Sequence, residues 1–254
     1  MAALWYTVGA IAGAGATWRL GWLDRTGAAA AAIVGALILG STGSAGGVPL
    51  AVFFVTSTLL GRLPGRGGGR RHAARSASQV IANGGVAACA AAGIALGGGG
   101  GMAAALAGSL AAATADTWAT EVGTRYGGRP RRLGFGPQLA PGASGGVSLQ
   151  GTGAGVAGAA CIALAGAAAG LGVGAWPVAI GGTAGLLADS VLGGTLQALY
   201  RCPACGGQGD VPRDACGVRG VRVRGWPWLD NDAVNLAATL AGAAAALCVH
   251  AFRH

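Results

Sequence analysis

The sequence predicts an all-α bundle that crosses a membrane about eight times, as one transmembrane domain over residues 1–254, with both termini extracytoplasmic. Three observations predict it. Hydrophobic residues make up 53% of the 254 residues, charged residues only 10%, and the mean hydropathy is +0.57; a soluble domain carries roughly 25% charge. The apolar share runs along almost the whole length, which excludes disorder, a coiled coil and an ordinary soluble enzyme. The 52 glycines follow no three-residue period, so they read as close helix packing in a bilayer and not as collagen. All 17 basic residues are Arg, which together with abundant Ala and Gly is what a GC-rich genome supplies. A net charge of +9 would suggest nucleic acid in a soluble chain. Here membrane orientation explains it, and no nucleic-acid partner is expected.

A bilayer core of about 30 Å takes roughly 20 apolar residues per helix. Eight stretches qualify: Leu4–Thr17, Ala28–Gly43, Val48–Leu60, Ser78–Leu96, Met102–Val122, Val147–Leu171, Pro177–Leu199 and Ala233–Ala251. The first has no basic residue ahead of it and Arg19 behind it, the pattern of an anchor and not of a cleaved signal peptide. The second and third are short. They form either a hairpin broken within Ser44–Pro49 or one long kinked helix, which would make seven spans. The Arg positions favour eight. Sixteen of the 17 fall in the first, third, fifth and seventh connections, the last three being loops 61–77, 123–146 and 200–230. Eight spans put all four on one face, which the positive-inside rule makes cytoplasmic. The expected location is the cytoplasmic membrane of a prokaryote.

Acidic residues inside spans are the most informative feature. Asp116 and Glu121 lie in the fifth span and Asp189 in the seventh, about 10 residues or ~15 Å before its cytoplasmic end. Each ionised group at mid-membrane costs ~2.5–3.5 kcal/mol on insertion scales. No Lys or Arg falls inside these spans, so a salt bridge within the bundle is not expected; a divalent metal, a proton or loop Arg residues remain. Further polar residues cluster at the cytoplasmic starts of spans four and eight: Ser78, Gln79 and Asn83, then Asp230, Asn231, Asp232 and Asn235. Gln79/Asn83 and Asn231/Asn235 are i, i+4 pairs, so each pair shares a face. On a straight helix Asp116 and Glu121 are about 140° apart, so both reach one cation only if the helix bends or the Glu arm wraps.

Two loops suit phosphate. Pro141-Gly142-Ala143-Ser144-Gly145-Gly146-Val147-Ser148 leads into span six. Its glycines let backbone N–H groups converge ahead of a helix N-terminus. On spacing alone a flexible turn with Ser148 as N-cap is the better reading. Arg70, Arg71 and Arg75, just before Ser78, bring guanidinium groups to the same mouth. In the loop of residues 200–230, Cys202-Pro-Ala-Cys205-Gly followed by Cys216-Gly is a zinc-ribbon pattern, to be completed by Asp210, Asp214 or a distant His if structural Zn²⁺ is bound. Cys89, Cys161 and Cys248 fall in spans and read as packing residues.

Four motifs resemble the phytyl-phosphate kinase and transmembrane protein 19 family: Ala115-Asp116-Thr117-Trp118-Ala119-Thr120-Glu121-Val122-Gly123, the Pro141–Ser148 loop, Asp189-Ser190-x2-Gly193-x3-Gln197, and Trp228-Leu229-Asp230-Asn231-Asp232-x2-Asn235. They occur in family order over about residues 60–240. The resemblance implies a polytopic membrane kinase that converts an isoprenyl monophosphate, such as phytyl phosphate, to the diphosphate, with CTP as the suspected donor. Many members of that family have no assigned substrate.

The residues and the resemblance agree on phosphoryl transfer, which needs charge neutralisation and positioning more than a nucleophilic side chain. Asp116, Glu121 and Asp189 are the expected Mg²⁺ ligands and catalytic residues. Arg71, Arg75, Ser78, Asn83, Thr117, Ser144, Gly145, Gly146, Ser148, Gln197, Asn231, Asp232 and Asn235 are the expected phosphate and nucleotide contacts, for CTP or another NTP. The rival readings are a cation- or proton-coupled transporter and a CTP-dependent nucleotidyl transferase acting on a lipid phosphate.

Overall fold

The computed structural model describes residues 2–63, 74–210, 212 and 217–252. They form eight α-helices: α1 Ala2–Arg19, α2 Arg25–Thr42, α3 Ser44–Arg62, α4 Ala77–Ala95, α5 Gly99–Tyr126, α6 Leu149–Ala168, α7 Ala175–Thr195 and α8 Asn231–Ala251. Among the described residues, α2, α3, α4, α6, α7 and α8 are long and apolar enough to cross a membrane. Large apolar side chains such as Ile33, Leu59, Leu164 and Leu187 face outward and exposed, as a lipid-facing surface requires.

Helix starts follow capping chemistry. Asp24 accepts the Gly27 N–H (2.7 Å) ahead of α2, Ser148 accepts the Gly151 N–H (3.2 Å) ahead of α6, and Asp230 accepts the Ala233 N–H (2.9 Å) ahead of α8. At α4 the Gln79 side chain reaches back to the Ser76 N–H (3.1 Å), one half of a capping box. The α2–α3 question resolves as a hairpin. Gly43, at φ +59, separates the two helices, and a Cβ on Gly47 would lie 2.5 Å from Leu39 Cδ2. Pro49 is carried inside α3, so the break falls just before the Ser44–Pro49 segment.

α5 is the central helix. Residues from Ala103 to Ala115 are buried without interruption, so every face of that stretch meets protein. A helix enclosed in this way needs no lipid-facing apolar stripe, which accounts for its absence from the six apolar spans. Small residues set the distances around it. A Cβ on Gly108 would lie 2.4 Å from Ala246 Cβ, one on Gly185 2.3 Å from Ala112 Cβ, and one on Gly242 2.6 Å from Ala112 Cβ. α5, α7 and α8 thus approach almost backbone to backbone. Polar ties cross the bundle too: Thr239 Oγ1 donates to Ala82 O (3.0 Å) and Trp118 Nε1 to Thr56 Oγ1 (3.2 Å).

The Arg-bearing connections gather at one end. Leu23 bridges Arg75, Arg62 donates to Gly21 O (2.7 Å), and Arg125 reaches Leu63 O. The all-α expectation needs one amendment here. β1 (Arg131–Arg132) pairs antiparallel with β2 (Gly146–Val147), and β3 (Leu199–Arg201) lies between β4 (Gln208–Gly209) and β5 (Val221–Arg224). β3 takes the residues with which span seven was expected to end. α7 stops at Thr195, six residues past Asp189, so that carboxylate lies ~9 Å from the helix end instead of ~15 Å.

Candidate active site

A cavity of about 280 Å³ lies among α4, α5, α6, α7, α8 and the 142–148 loop, at the end where the Arg-bearing connections meet. Most of the residues singled out from the sequence line it.

The centre of the site follows from the α5–α7 packing. The two helices run in parallel, with Gly185 seated on Ala112. One turn further along the same faces come Asp189 and Asp116, since i and i+4 share a face. Both line the cavity, half-buried, and their carboxyls meet closely enough to interact directly. Thr120 Oγ1 lies 3.5 Å from Asp116 Oδ1. Among the described residues neither carboxylate has a cationic partner. Two adjacent anions in such a place need a shared cation or proton.

Glu121 differs, and the expectation of no salt bridge within the bundle is corrected. α5 continues past Val122 to Tyr126, which places Arg125 on the helix one turn beyond Glu121. Arg125 Nη1 donates to Glu121 Oε2 (2.5 Å) and to Glu121 O (2.8 Å), while Nη2 donates to Leu63 O (2.5 Å). Both residues are buried. Glu121 lines the cavity, but its charge is already matched. No group of three His, Cys, Asp or Glu side chains suited to a metal occurs among the described residues. Of the three expected carboxylates, Asp116 and Asp189 are the two without a cationic partner among the described residues. Two carboxylates with phosphate oxygens and waters are a usual Mg²⁺ environment, so the donor set fits that ion.

The 142–148 segment lines the same cavity as the carboxylates, with Ser144, Gly145, Gly146 and Ser148 all in the wall. Gly142 and Gly145 have φ of +80 and +74, conformations that suit glycine. Gly145 is pressed onto α7: a Cβ there would lie 2.0 Å from Gly194 Cα. Its carbonyl accepts the Leu133 N–H (3.0 Å), and Gly146 pairs with β1. The loop is therefore clamped and not a flexible turn. Ser148 does serve as N-cap, and the first turn of α6 presents Gly151 and Thr152 to the cavity. A helix N-terminus, a glycine loop and two carboxylates thus line one space, the groups that a phosphate bridged by a cation would require.

Arg75, Asn83, Thr117, Asn231 and Asn235 complete the wall. Burial holds the Arg75 guanidinium below the ordinary arginine range; the Glu121 carboxylate opposes that shift and Arg62 adds to it. Gln197, 2% exposed, also lines the cavity, and its buried Nε2 has no partner among the described residues. Arg224 fastens the adjoining end of α7, donating to Gly193 O (2.7 Å) and Gly194 O (2.8 Å). Burial and the nearby Arg132 lower its pKa from the usual value.

Two expected contacts stand off the wall. On α4 the lining face is Gln79/Asn83, and the neighbouring Ser78 instead shares a hydrogen bond with Ser76 Oγ (2.9 Å). On α8 the lining face is Asn231/Asn235, and Asp232 is rotated out of it. Arg71 and Cys216 lie outside the described residues. Cys202 and Cys205 form the expected tight knuckle: Cys202 N–H donates to Gly207 O (2.8 Å), Gly206 N–H to Cys202 O (2.9 Å), and Gly207 N–H points at Cys205 Sγ (3.4 Å). Sequence reasoning missed Thr124 and Thr152 in the wall and Arg125 as the partner of Glu121. The i, i+4 spacing of Glu121 and Arg125 was the available signal for the pair.

A family model described as integral membrane protein DUF92 matches residues 8–243, and the chain belongs to that family. No curated protein and no solved structure matches the chain.

Proposed function

We propose that this DUF92-family membrane protein is a Mg²⁺-dependent kinase. It moves the terminal phosphate of CTP or another NTP to a prenyl or phytyl monophosphate, giving the diphosphate, at the cytoplasmic face. The observation that carries the reading is the pair of carboxylates, Asp116 and Asp189, without a cationic partner among the described residues and lining one cavity with a glycine loop packed on α7. The four sequence motifs that resemble those of the phytyl-phosphate kinase family each contribute residues to that cavity and support the reading.

An oxygen of the acceptor phosphate attacks the terminal phosphorus of the nucleotide; the bond to the bridging oxygen breaks, and the nucleoside diphosphate leaves. A phosphate monoester is largely ionised near neutral pH, its second pKa being about 6, so no strong general base is required. Bound Mg²⁺ would neutralise charge on the phosphate oxygens. Asp116 and Asp189 would hold that ion. Backbone N–H groups of the 142–148 loop and the N-terminus of α6 would hold the nucleotide phosphates. Arg75 would neutralise the acceptor phosphate, and Asn83, Asn231, Asn235 and Gln197 would orient polar groups of the two substrates.

The test is purified protein with labelled CTP or ATP, Mg²⁺ and phytyl or geranylgeranyl phosphate. Formation of prenyl diphosphate with release of nucleoside diphosphate is the expected result. Pyrophosphate release would assign a nucleotidyl transferase instead, and no product with any nucleotide would overturn the reading.

A further inference from the structure

A second cavity of about 260 Å³ adjoins the first. Its walls come from α1, α2, α3 and the first turns of α4, and they are almost entirely apolar, among them Val34, Leu39, Leu50 and Phe54. The two cavities share Phe53, Arg75, Gln79 and Asn83, so they meet at one junction. Arg75 marks it. Its backbone is fixed by exchange with the 22–24 segment, through Arg75 N–H to Trp22 O and Asp24 N–H to Arg75 O (both 3.1 Å), and its guanidinium lies 5.8 Å from the Phe54 ring centroid. An apolar groove that ends at a half-buried guanidinium, and opens there onto a cavity lined by a carboxylate pair and a glycine loop, is complementary to one kind of molecule. That molecule has a single apolar chain and a phosphate head.

We propose that this groove holds the chain of the isoprenyl phosphate acceptor and measures its length along α1. The proposal rests on the kinase reading for the identity of the head group. Gly13 and Gly9 of α1 line the groove at successive depths, six and ten residues from Arg19, or ~9 and ~15 Å along the helix. A Cβ built at either position meets nothing within 4 Å. Both sites therefore have room for a Cβ, on residues that line the groove. A short chain ends before Gly9, and a long chain passes both.

The experiment measures binding of geranyl, farnesyl and geranylgeranyl monophosphates to the full-length protein in detergent, without nucleotide, for wild type, Gly13→Phe and Gly9→Phe. Wild-type affinity rises with chain length. Gly9→Phe lowers the ratio of geranylgeranyl to geranyl affinity about tenfold, the loss of roughly two buried methylenes. Gly13→Phe imposes that loss already at farnesyl. Wild-type protein with a photoreactive group at the chain terminus is labelled on α1–α3 peptides, whether or not the variants fold. Label on α6 or α7, label displaced by excess bilayer phospholipid, or affinity ratios unchanged in both variants would overturn the groove assignment. Because no nucleotide is present, length-dependent binding without diphosphate formation overturns only the kinase reading. Diphosphate formation with unchanged ratios overturns only the groove.

Discussion

Gly145 of the loop before α6 rests directly on Gly194 at the end of α7, so close that a Cβ on Gly145 would lie 2.0 Å from Gly194 Cα. That contact ties the 142–148 loop to the helix that carries Asp189. Gly145→Ala meets both the backbone clash and a φ of +74, so it costs more than ~1 kcal/mol and displaces the loop. Transfer activity falls about 10²-fold, as for an ångström-scale misplacement. Gly194→Ala first meets Leu133 Cδ2 at 2.8 Å, a side-chain tip that can move, and loses far less. Thermal unfolding and initial rates for the two variants check the order; equal effects would remove the clamp.

Asp116→Asn and Asp189→Asn each lower transfer by about 10²–10³-fold and abolish the Mg²⁺ dependence of nucleotide binding. The two residues act as one unit, so the double variant loses little more than either single. A magnesium titration of nucleotide affinity reads this directly. Full additivity of the two losses would show that the carboxylates do not share an ion.

Arg125→Ala removes the buried ion pair to Glu121 and the tie to Leu63 O, and lowers the unfolding temperature. Arg125→Lys does not restore it, because one ammonium lacks the fork that reaches Glu121 and Leu63 together. Glu121→Gln keeps the Mg²⁺ response that Asp116→Asn loses. Unfolding temperatures for the first two and the magnesium titration for the third are the measurements.

How much of this was legible in the sequence depended on whether a feature was local. Asp116, Asp189 and the glycine loop are visible because acid in an apolar run and clustered Gly before a cap are local patterns. The i, i+4 rule puts Gln79 with Asn83 and Asn231 with Asn235, and those faces line the cavity, while Ser78 and Asp232, expected there too, lie on neighbouring faces. Arg125 was lost because hydropathy marks where the apolar run stops, at Val122, and not where the backbone hydrogen bonds stop, at Tyr126. The seating of Gly145 on Gly194 and the junction at Arg75 are tertiary. They depend on which helices become neighbours, and no spacing along the chain encodes that.

Asp24 caps α2, and its pKa is lowered, first by the Gly27 N–H and then by the Thr26 hydroxyl. A carboxyl whose folded pKa lies below its unfolded value contributes stability above the unfolded pKa, near 3.8, and loses it as pH falls through the lower folded value. Asp24→Ala is therefore less stable than wild type at neutral pH, and the gap closes only below about pH 4. Paired unfolding curves from neutral pH down to about pH 3 test the sign; a gap that widens in acid would contradict it.

Gln197 separates stability from function. Its buried Nε2 has no partner among the described residues, and an unsatisfied buried donor costs about 1–3 kcal/mol. A fold retains such a group when something else gains from it; under the proposed function that would be an acceptor oxygen of phosphate or nucleotide in the cavity it lines. Gln197→Met fills a similar volume without a donor. Its unfolding temperature in the absence of ligand holds or rises, while nucleotide affinity falls several-fold, as for loss of one hydrogen bond to a charged group. A drop in ligand-free stability with affinity unchanged would make Gln197 a packing residue and remove it from the site.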